Sequence, residues 1–212
     1  MTIERPGRPG NLPAAELLWS RWALAAVMEA TAAAEARTRR HGSWISEEGL
    51  RLDDSGCTWW TLTPLGEGRY VLYGEDESSE VRWHDRPVDV LSGAPDWLPH
   101  DRLRELLDEI GCVYWYENGA WNRAPYPEDL RDDGLDCGMS RFADRDEALR
   151  DLAASERCPS RAHAADLLAA AESRTLTAPV IEAALDAASP LTDEDRQAVH
   201  RALHASALTP AP

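Results

Sequence analysis

Tryptophan dominates the middle of this sequence. Seven of the nine tryptophans lie between residues 44 and 121, whereas the whole chain contains one phenylalanine. Because large apolar side chains fill protein cores, tryptophan must do much of the core filling here. Trp59 and Trp60 are adjacent, and neighbouring side chains on a β-strand point to opposite faces of the sheet. Unless both faces are covered, one of the two is exposed and could contact a partner protein or stack on a sugar.

The segments that carry these tryptophans have the composition of β-strands. Residues 43–52 predict a short hairpin. Residues 56–65 and 68–75 predict two strands, because both runs are rich in β-branched and aromatic side chains. A further strand is expected within residues 79–91, before Pro87.

A second hairpin is predicted around the Asn-Gly pair at residues 118–119. This dipeptide lies between two aromatic runs, "YWYE" and "AW", and it favours the type I′ turn of a two-residue hairpin loop. The side chains of this hairpin are expected to divide between two faces, with Val113, Trp115 and Trp121 on one and Tyr114 and Tyr116 on the other.

Helical periodicity flanks the predicted sheet on both sides. Apolar residues at helical spacing predict one long helix from residue 13 to residue 41. Its broad apolar side requires cover, either from the chain's own core or from a second copy. A shorter helix is predicted at residues 99–110, and the chain is again helical after Asp144. The later helices are predicted at residues 144–157, 160–173, 177–188 and 192–206.

Together these elements predict an α+β fold. It comprises a small antiparallel, tryptophan-rich sheet, a long N-terminal helix and a C-terminal bundle of short helices. The expected organisation along the chain is a flexible arm (1–12), the N-terminal helix (13–41), an α+β core domain (42–157), a helical bundle (158–207) and a loose tail (208–212).

The charge of the chain is concentrated in its central part. The formal net charge is −16, and residues 43–158 contribute −15 of it, with 27 acidic residues against 12 arginines. Such a field repels nucleic acid and anionic membranes and attracts basic partners. We therefore expect a basic protein as the partner, a toxin being one candidate, and neither nucleic acid nor membrane.

Several chemistries are disfavoured by what the sequence lacks. It contains no lysine, which removes Schiff-base lysines and the P-loop lysine. It also lacks G-x-S-x-G and H-E-x-x-H motifs. The four cysteines are far apart in sequence, and no apolar run is long enough for a membrane span. We expect a cytoplasmic protein without a cofactor, a metal or catalytic residues.

Two acidic clusters stand out, "YGEDESSE" from Tyr73 and "PEDLRDDGLD" from Pro127. Carboxylate clusters can bind a hard cation, but neither cluster has EF-hand spacing. They can instead accept charge-assisted hydrogen bonds from the arginines and lysines of a partner, or simply lie in solvent.

The leading hypothesis is a protein-binding module of the inhibitor or immunity type. In composition and size the chain is similar to small acidic cytoplasmic proteins of high-GC bacteria that neutralise a toxic enzyme, although no motif is shared. Carboxylates and exposed aromatic side chains would cover the basic surface of the partner. The expected contact residues are Glu75, Asp76, Glu77, Trp121, Tyr126, Asp132 and Asp133.

Two alternatives remain open. One is an enzyme or small-ligand-binding protein with a site on the sheet face near Glu75 and His84, with Tyr73 and Trp115 beside them. The other is a structural subunit that forms a homodimer through the N-terminal helix.

Overall fold

An antiparallel sheet of six strands organises the part of the chain that the structure, a computed structural model, describes: residues 3–30 and 41–209. The strand order in the sheet follows the order along the chain. The strands are β1 (Gly42–Ser46), β2 (Gly49–Asp53), β3 (Thr58–Gly66), β4 (Arg69–Asp76), β5 (Cys112–Glu117) and β6 (Ala120–Arg123).

Helices precede and follow the sheet, so the predicted α+β fold is confirmed. In the described residues they are α1 (Ala15–Glu29), α2 (His100–Glu105), α3 (Asp136–Ala143), α4 (Arg145–Ala154), α5 (Arg161–Glu172), α6 (Ala178–Ala188) and α7 (Asp193–Ser206). The part of the predicted N-terminal helix at 31–40 lies outside the described residues. α2 is shorter than predicted, because the chain leaves helical geometry at Leu106.

Both faces of the sheet are covered. α1 and the C-terminal helices pack on one face, where Trp60 is fully buried. The long connection between β4 and β5 packs on the other face. There Trp59 is half-buried, with the guanidinium of Arg51 on one ring and the Tyr73 ring at its edge. The adjacent tryptophans therefore both serve the interior, each on its own side of the sheet.

The cover of α1 comes from its own chain. Its buried residues surround the helix, and Trp22 stacks on Phe142 of α3 with ring centroids 5.0 Å apart. Arg21 is buried as well; its guanidinium donates to the carbonyls of Phe142 and Ala143 and to Glu172 of α5. Over residues 15–29, α1 therefore lies in the interior of the fold.

The C-terminal helices share this interior. Trp19 of α1 donates its indole N–H to the carbonyl of Ser206 at 2.8 Å, and Leu176 and Leu208 are joined by a backbone hydrogen bond. Leu208, expected at the start of a loose tail, is fully buried.

The hairpin predicted at residues 118–119 is present between β5 and β6. Asn118 and Gly119 both have positive φ, 52° and 81°, as a type I′ turn requires. One expectation was wrong. Trp121 pairs directly with Tyr116 across the hairpin, and directly opposite residues lie on the same face, so Trp121 faces the helices and not the side of Val113 and Trp115.

The strand expected within residues 79–91 is also wrong. The segment contains the short 3-10 turn Val81–Trp83 and then an irregular chain through Pro87. β4 already pairs with β3 and with β5, so no free edge of β4 remains for a further strand. The segment instead crosses the sheet face and supplies part of its cover.

The N-terminal arm, as far as it is described, packs into the molecule. The backbone N–H of Gly7 donates to Asp133 at 2.8 Å, and Arg123 of β6 donates to the Gly7 carbonyl at 3.0 Å. Arg5 forms ion pairs with Asp132 and Asp136. The partners of these contacts lie more than 100 residues away in sequence, so the described part of the arm is joined to the loop before α3 and to β6.

Candidate functional site

The seven acidic and aromatic residues expected to contact a partner differ widely in exposure. Glu77 is exposed and Tyr126 is half-buried. The other five are buried, namely Glu75, Asp76, Trp121, Asp132 and Asp133. These five side chains therefore make internal contacts.

The two acidic clusters pack against each other at one end of the sheet. Glu80 donates its backbone N–H to the carbonyl of Asp132 at 3.0 Å, and Arg131 donates its own to the Glu80 carboxylate at 3.0 Å. Gly134 lies so close that a Cβ there would be 2.8 Å from the Cβ of Asp76. The structure thus brings Asp76, Asp132 and Asp133 into one buried network.

Asp133 is the centre of this network. Its Oδ1 accepts hydrogen bonds from the backbone N–H groups of Gly7 and Leu135, and its Oδ2 lies 2.7 Å from the Tyr114 hydroxyl. Burial, and then the negative charge of Asp133, raise the pKa of Tyr114 well above its ordinary value. Tyr114 therefore stays protonated and can donate to the carboxylate.

The Asp132 carboxylate connects its loop to the N-terminal arm through an ion pair with Arg5. Its Oδ2 lies 3.1 Å from Nη1 of Arg5, and its Oδ1 accepts from the backbone N–H of Gly134 at 2.8 Å. Burial raises the pKa of Asp132 above its ordinary value, although Gly134 and Arg5 act in the opposite direction.

Glu75 and Asp76 are neighbours with opposite pKa shifts. Burial raises the pKa of Glu75, whose Oε1 is 3.3 Å from Arg82 and whose buried Oε2 accepts no hydrogen bond from the described residues. Burial acts in the same direction on Asp76, but the hydrogen bonds from Ser78 and Thr58 outweigh it and lower the pKa.

The two aromatic candidates also serve the interior. Trp121 packs on Tyr116 and donates its indole N–H to the carbonyl of Pro13 at 2.7 Å. The Arg123 guanidinium lies 3.7 Å from the centroid of the Tyr126 ring, and burial raises the pKa of Tyr126 well above its ordinary value. The hydrogen bond from Trp121 to Pro13 fixes the chain that leads into α1.

The residues of the alternative enzyme site are each held by separate partners among the described residues. Tyr73 and Trp115 are buried in the core of the second sheet face. The ring of His84 bonds to the backbone of Arg86 and lies 3.4 Å from Asp129, whereas Glu75 pairs with Arg82. Burial raises the pKa of the Cys137 thiol to about 11, so this cysteine is a neutral thiol at neutral pH.

An open groove lies on the second face, at a place that sequence reasoning missed. It has a volume of about 640 Å³ between the 3-10 turn, residues 87–90 and the chain that follows α2. Trp83 and Leu107 line it with 76% and 39% of their surfaces exposed. The sequence signal that could have indicated this place is the polar surrounding of Trp83, which Asp85, Pro87 and Asp89 follow within six residues.

The rim of this groove is acidic. Asp89 and Asp108 line it, Asp85 follows Trp83 by two residues, and all three are exposed. None of them forms an ion pair with a described residue, whereas Arg82, which also lines the groove, is paired with Glu75. An apolar depression is therefore bordered by carboxylates without counter-charges.

Among the residues that the structure describes, no group of three or more His, Cys, Asp or Glu side chains is arranged to hold a metal ion. The helices in that part of the chain are also too short or too polar to cross a membrane. Comparison of the chain with protein-family models, with curated proteins and with solved structures found no match. Its class is accordingly defined by its own geometry, an α+β protein with a six-stranded antiparallel sheet covered on both faces.

Proposed function

We propose that this protein is an acidic protein-binding module of the inhibitor or immunity type, which covers a basic surface of a partner protein. The supporting observation is an excess of unpaired negative charge on the connection between β4 and β5. Eight carboxylates there are exposed and form no ion pair with a described residue: Glu77, Glu80, Asp85, Asp89, Asp96, Asp101, Asp108 and Glu109.

The arginines of the same connection do not offset these charges. Three of its four arginines are already paired: Arg82 with Glu75, Arg86 with Asp129, and Arg102 with Glu48 and Glu105. The fourth, Arg104, is exposed without an ion pair to a described residue, so one positive charge faces eight unpaired carboxylates. Unpaired exposed charges contribute little to folding, but they accelerate and orient the approach of an oppositely charged protein. A basic partner would receive its counter-charges from this surface.

A capture experiment tests the proposal. The tagged protein is incubated with lysate of the native host at about 0.15 M and about 0.5 M salt, because exposed charges are strongly screened at the higher concentration. We expect one stoichiometric basic protein whose binding weakens at the higher salt. The purified partner is then assayed alone and in complex, and an inhibitor lowers its activity.

Capture of no protein at either salt would contradict the proposal, as would a partner that is acidic or whose binding strengthens with salt. A partner whose activity is unchanged in the complex would remove the inhibitory role and leave a binding role.

A further inference from the structure

We infer that the groove beside Trp83 is the contact surface for this binding, and that it takes a basic segment of the partner that carries one large apolar side chain. This inference rests on the proposed function, and it adds to it a location and a chemistry of recognition.

The apolar part of the groove has the properties of an anchor site. Val81, Val90 and Ile110 form a buried floor, with at most 4% of each exposed. Trp83 and Leu107 stand at the edge with large exposed fractions. Exposed tryptophan next to a depression is typical of the few residues that carry most of the binding energy in protein interfaces. A side chain of the partner would fill the depression and cover both residues.

The charges around the groove select the flanking residues of the partner. Asp89 and Asp108 lie in the lining, and Asp85 lies close in sequence to Trp83. The one arginine of the lining, Arg82, is held by Glu75 and lies over the Trp83 ring at 5.3 Å from its centroid. Arginine or lysine on either side of the apolar anchor would complement the aspartates.

The same charges disfavour other occupants. A second copy of this chain would place the aspartates of one groove against those of the other, and like charges in contact are unfavourable. Nucleic acid and anionic lipid carry the same sign as the rim. A basic polypeptide is therefore the occupant that fits both the apolar depression and its border.

The groove is held in shape by the buried acidic network. Trp83 donates its backbone N–H to the carbonyl of Glu80 at 3.0 Å, and Glu80 in turn donates to the carbonyl of Asp132 at 3.0 Å. A surface fixed before binding loses less conformational entropy when the partner arrives. The loop at residues 127–136 thus positions the turn that carries Trp83.

The first test measures the affinity of variants for the captured partner. Trp83→Ala is expected to raise Kd at least tenfold, and the triple variant D85N/D89N/D108N is expected to raise Kd at least tenfold at about 0.15 M salt and less at about 0.5 M. The exposed position of Trp83 predicts an unchanged unfolding midpoint, which serves as the folding check.

Two matched controls separate the groove from general surface properties. Val180→Ala removes an exposed apolar side chain on α6, and E156Q/D166N/E194Q neutralises three exposed acids near or within the C-terminal helices. Both controls should change Kd less than twofold. Equal losses for the control triple and the groove triple, or no loss for Trp83→Ala, would overturn the inference while leaving the proposed function intact.

The second test does not depend on a lysate partner. A random peptide library displayed on phage is selected on the immobilised wild-type protein. We expect enriched peptides to combine one aromatic or large aliphatic residue with arginine or lysine nearby, and to lose binding to Trp83→Ala. Peptides that bind both proteins equally, or no enriched peptide at all, would contradict the groove as the site. Enriched peptides with no lysate partner would contradict the inhibitor function and support the groove.

The oligomeric state provides a third test. Sedimentation equilibrium of the wild type and Trp83→Ala should show monomers at all concentrations. A dimer that is lost in Trp83→Ala would assign the groove to a second copy and would overturn the inference.

Discussion

The buried hydroxyl of Tyr114 on β5 lies 2.7 Å from the carboxylate of Asp133, a residue of the loop that precedes α3. The same carboxylate accepts the backbone N–H of Gly7 at 2.8 Å. A central strand, an acidic loop and the N-terminal arm are therefore joined at one side chain. This relationship gives the acids of the loop a structural role.

Replacing Asp133 by alanine is expected to destabilise the fold strongly. The change leaves the buried backbone N–H groups of Gly7 and Leu135 without this acceptor, while the Tyr114 hydroxyl keeps the Gly7 carbonyl. Buried groups left unpaired lose about 1–3 kcal/mol each, so a loss of about 2–4 kcal/mol in the free energy of unfolding is expected. Urea unfolding followed by tryptophan fluorescence measures it.

Glu128→Gln is the matched control for that variant, because Glu128 lies on the same loop and is exposed. Its change in the free energy of unfolding should stay within about 0.5 kcal/mol. A similar, small change for both variants would show that Asp133 does not hold the loop and the arm together.

A second prediction concerns Gly111, directly before β5. A Cβ at this position would overlap Oε2 of Glu75 and lie 2.8 Å from Oγ of Ser79. Gly111→Ala must therefore displace buried polar groups, and overpacking of this kind typically destabilises a fold by about 1–3 kcal/mol. Gly10→Ala is the control, since a Cβ there has no heavy atom within 4 Å. Thermal unfolding curves should show a lower midpoint for Gly111→Ala than for the wild type, and an unchanged midpoint for Gly10→Ala.

The sequence predicted the elements whose signals are local. The hairpin at residues 118–119 follows from the backbone preferences of Asn118 and Gly119, and α5, α6 and α7 follow from helical periodicity and caps close in sequence. These elements need no knowledge of distant residues, and the structure contains them within a residue or two of the predicted bounds.

The candidate site could not be predicted in the same way, because burial depends on partners that are distant in sequence. Asp132 and Asp133 lie in a segment with the composition of a solvated loop. In the fold, however, Arg5 pairs with the Asp132 carboxylate, and the backbone N–H of Gly7 donates to the Asp133 carboxylate. The sequence predicts a strand at Trp83. In the structure β4 pairs directly with β5, so the chain between these two strands crosses the sheet face, and Trp83 is exposed on that chain.

A third prediction uses two arginines that share one carboxylate. Glu172 accepts from the buried Arg21 and from the exposed Arg145, each at 2.8 Å. Arg21→Met would also leave the carbonyls of Phe142 and Ala143 without their donor, so a loss of about 3–5 kcal/mol is expected, as when one partner of a buried ion pair is removed. Arg145→Met removes an exposed pair and should lose about 1 kcal/mol or less. Chemical unfolding of both variants measures the difference, and equal losses would contradict the buried role of Arg21.

The last prediction concerns the pH dependence of stability at two adjacent carboxyl groups, Glu75 and Asp76. The pKa of Glu75 is raised in the fold above an ordinary value near 4.5, so its ionisation opposes folding. Its contribution to stability is greatest below that ordinary value and declines as the pH rises through the folded pKa. The pKa of Asp76 is lowered below an ordinary value near 3.8. Its contribution is present above that value and is lost as the pH falls through the folded pKa.

Glu75→Gln and Asp76→Asn should therefore show opposite trends in urea titrations performed between about pH 3 and pH 7. Relative to the wild type, the free energy of unfolding of Glu75→Gln should become larger as the pH rises above about 4.5, because glutamine has no charge to bury. That of Asp76→Asn should become smaller relative to the wild type as the pH rises through the range below about 3.8, and then stay constant, because the wild-type carboxylate gains the bonds from Ser78 and Thr58 in that range. Parallel trends for the two variants would show that burial, and not the hydrogen bonds of each carboxylate, governs both groups.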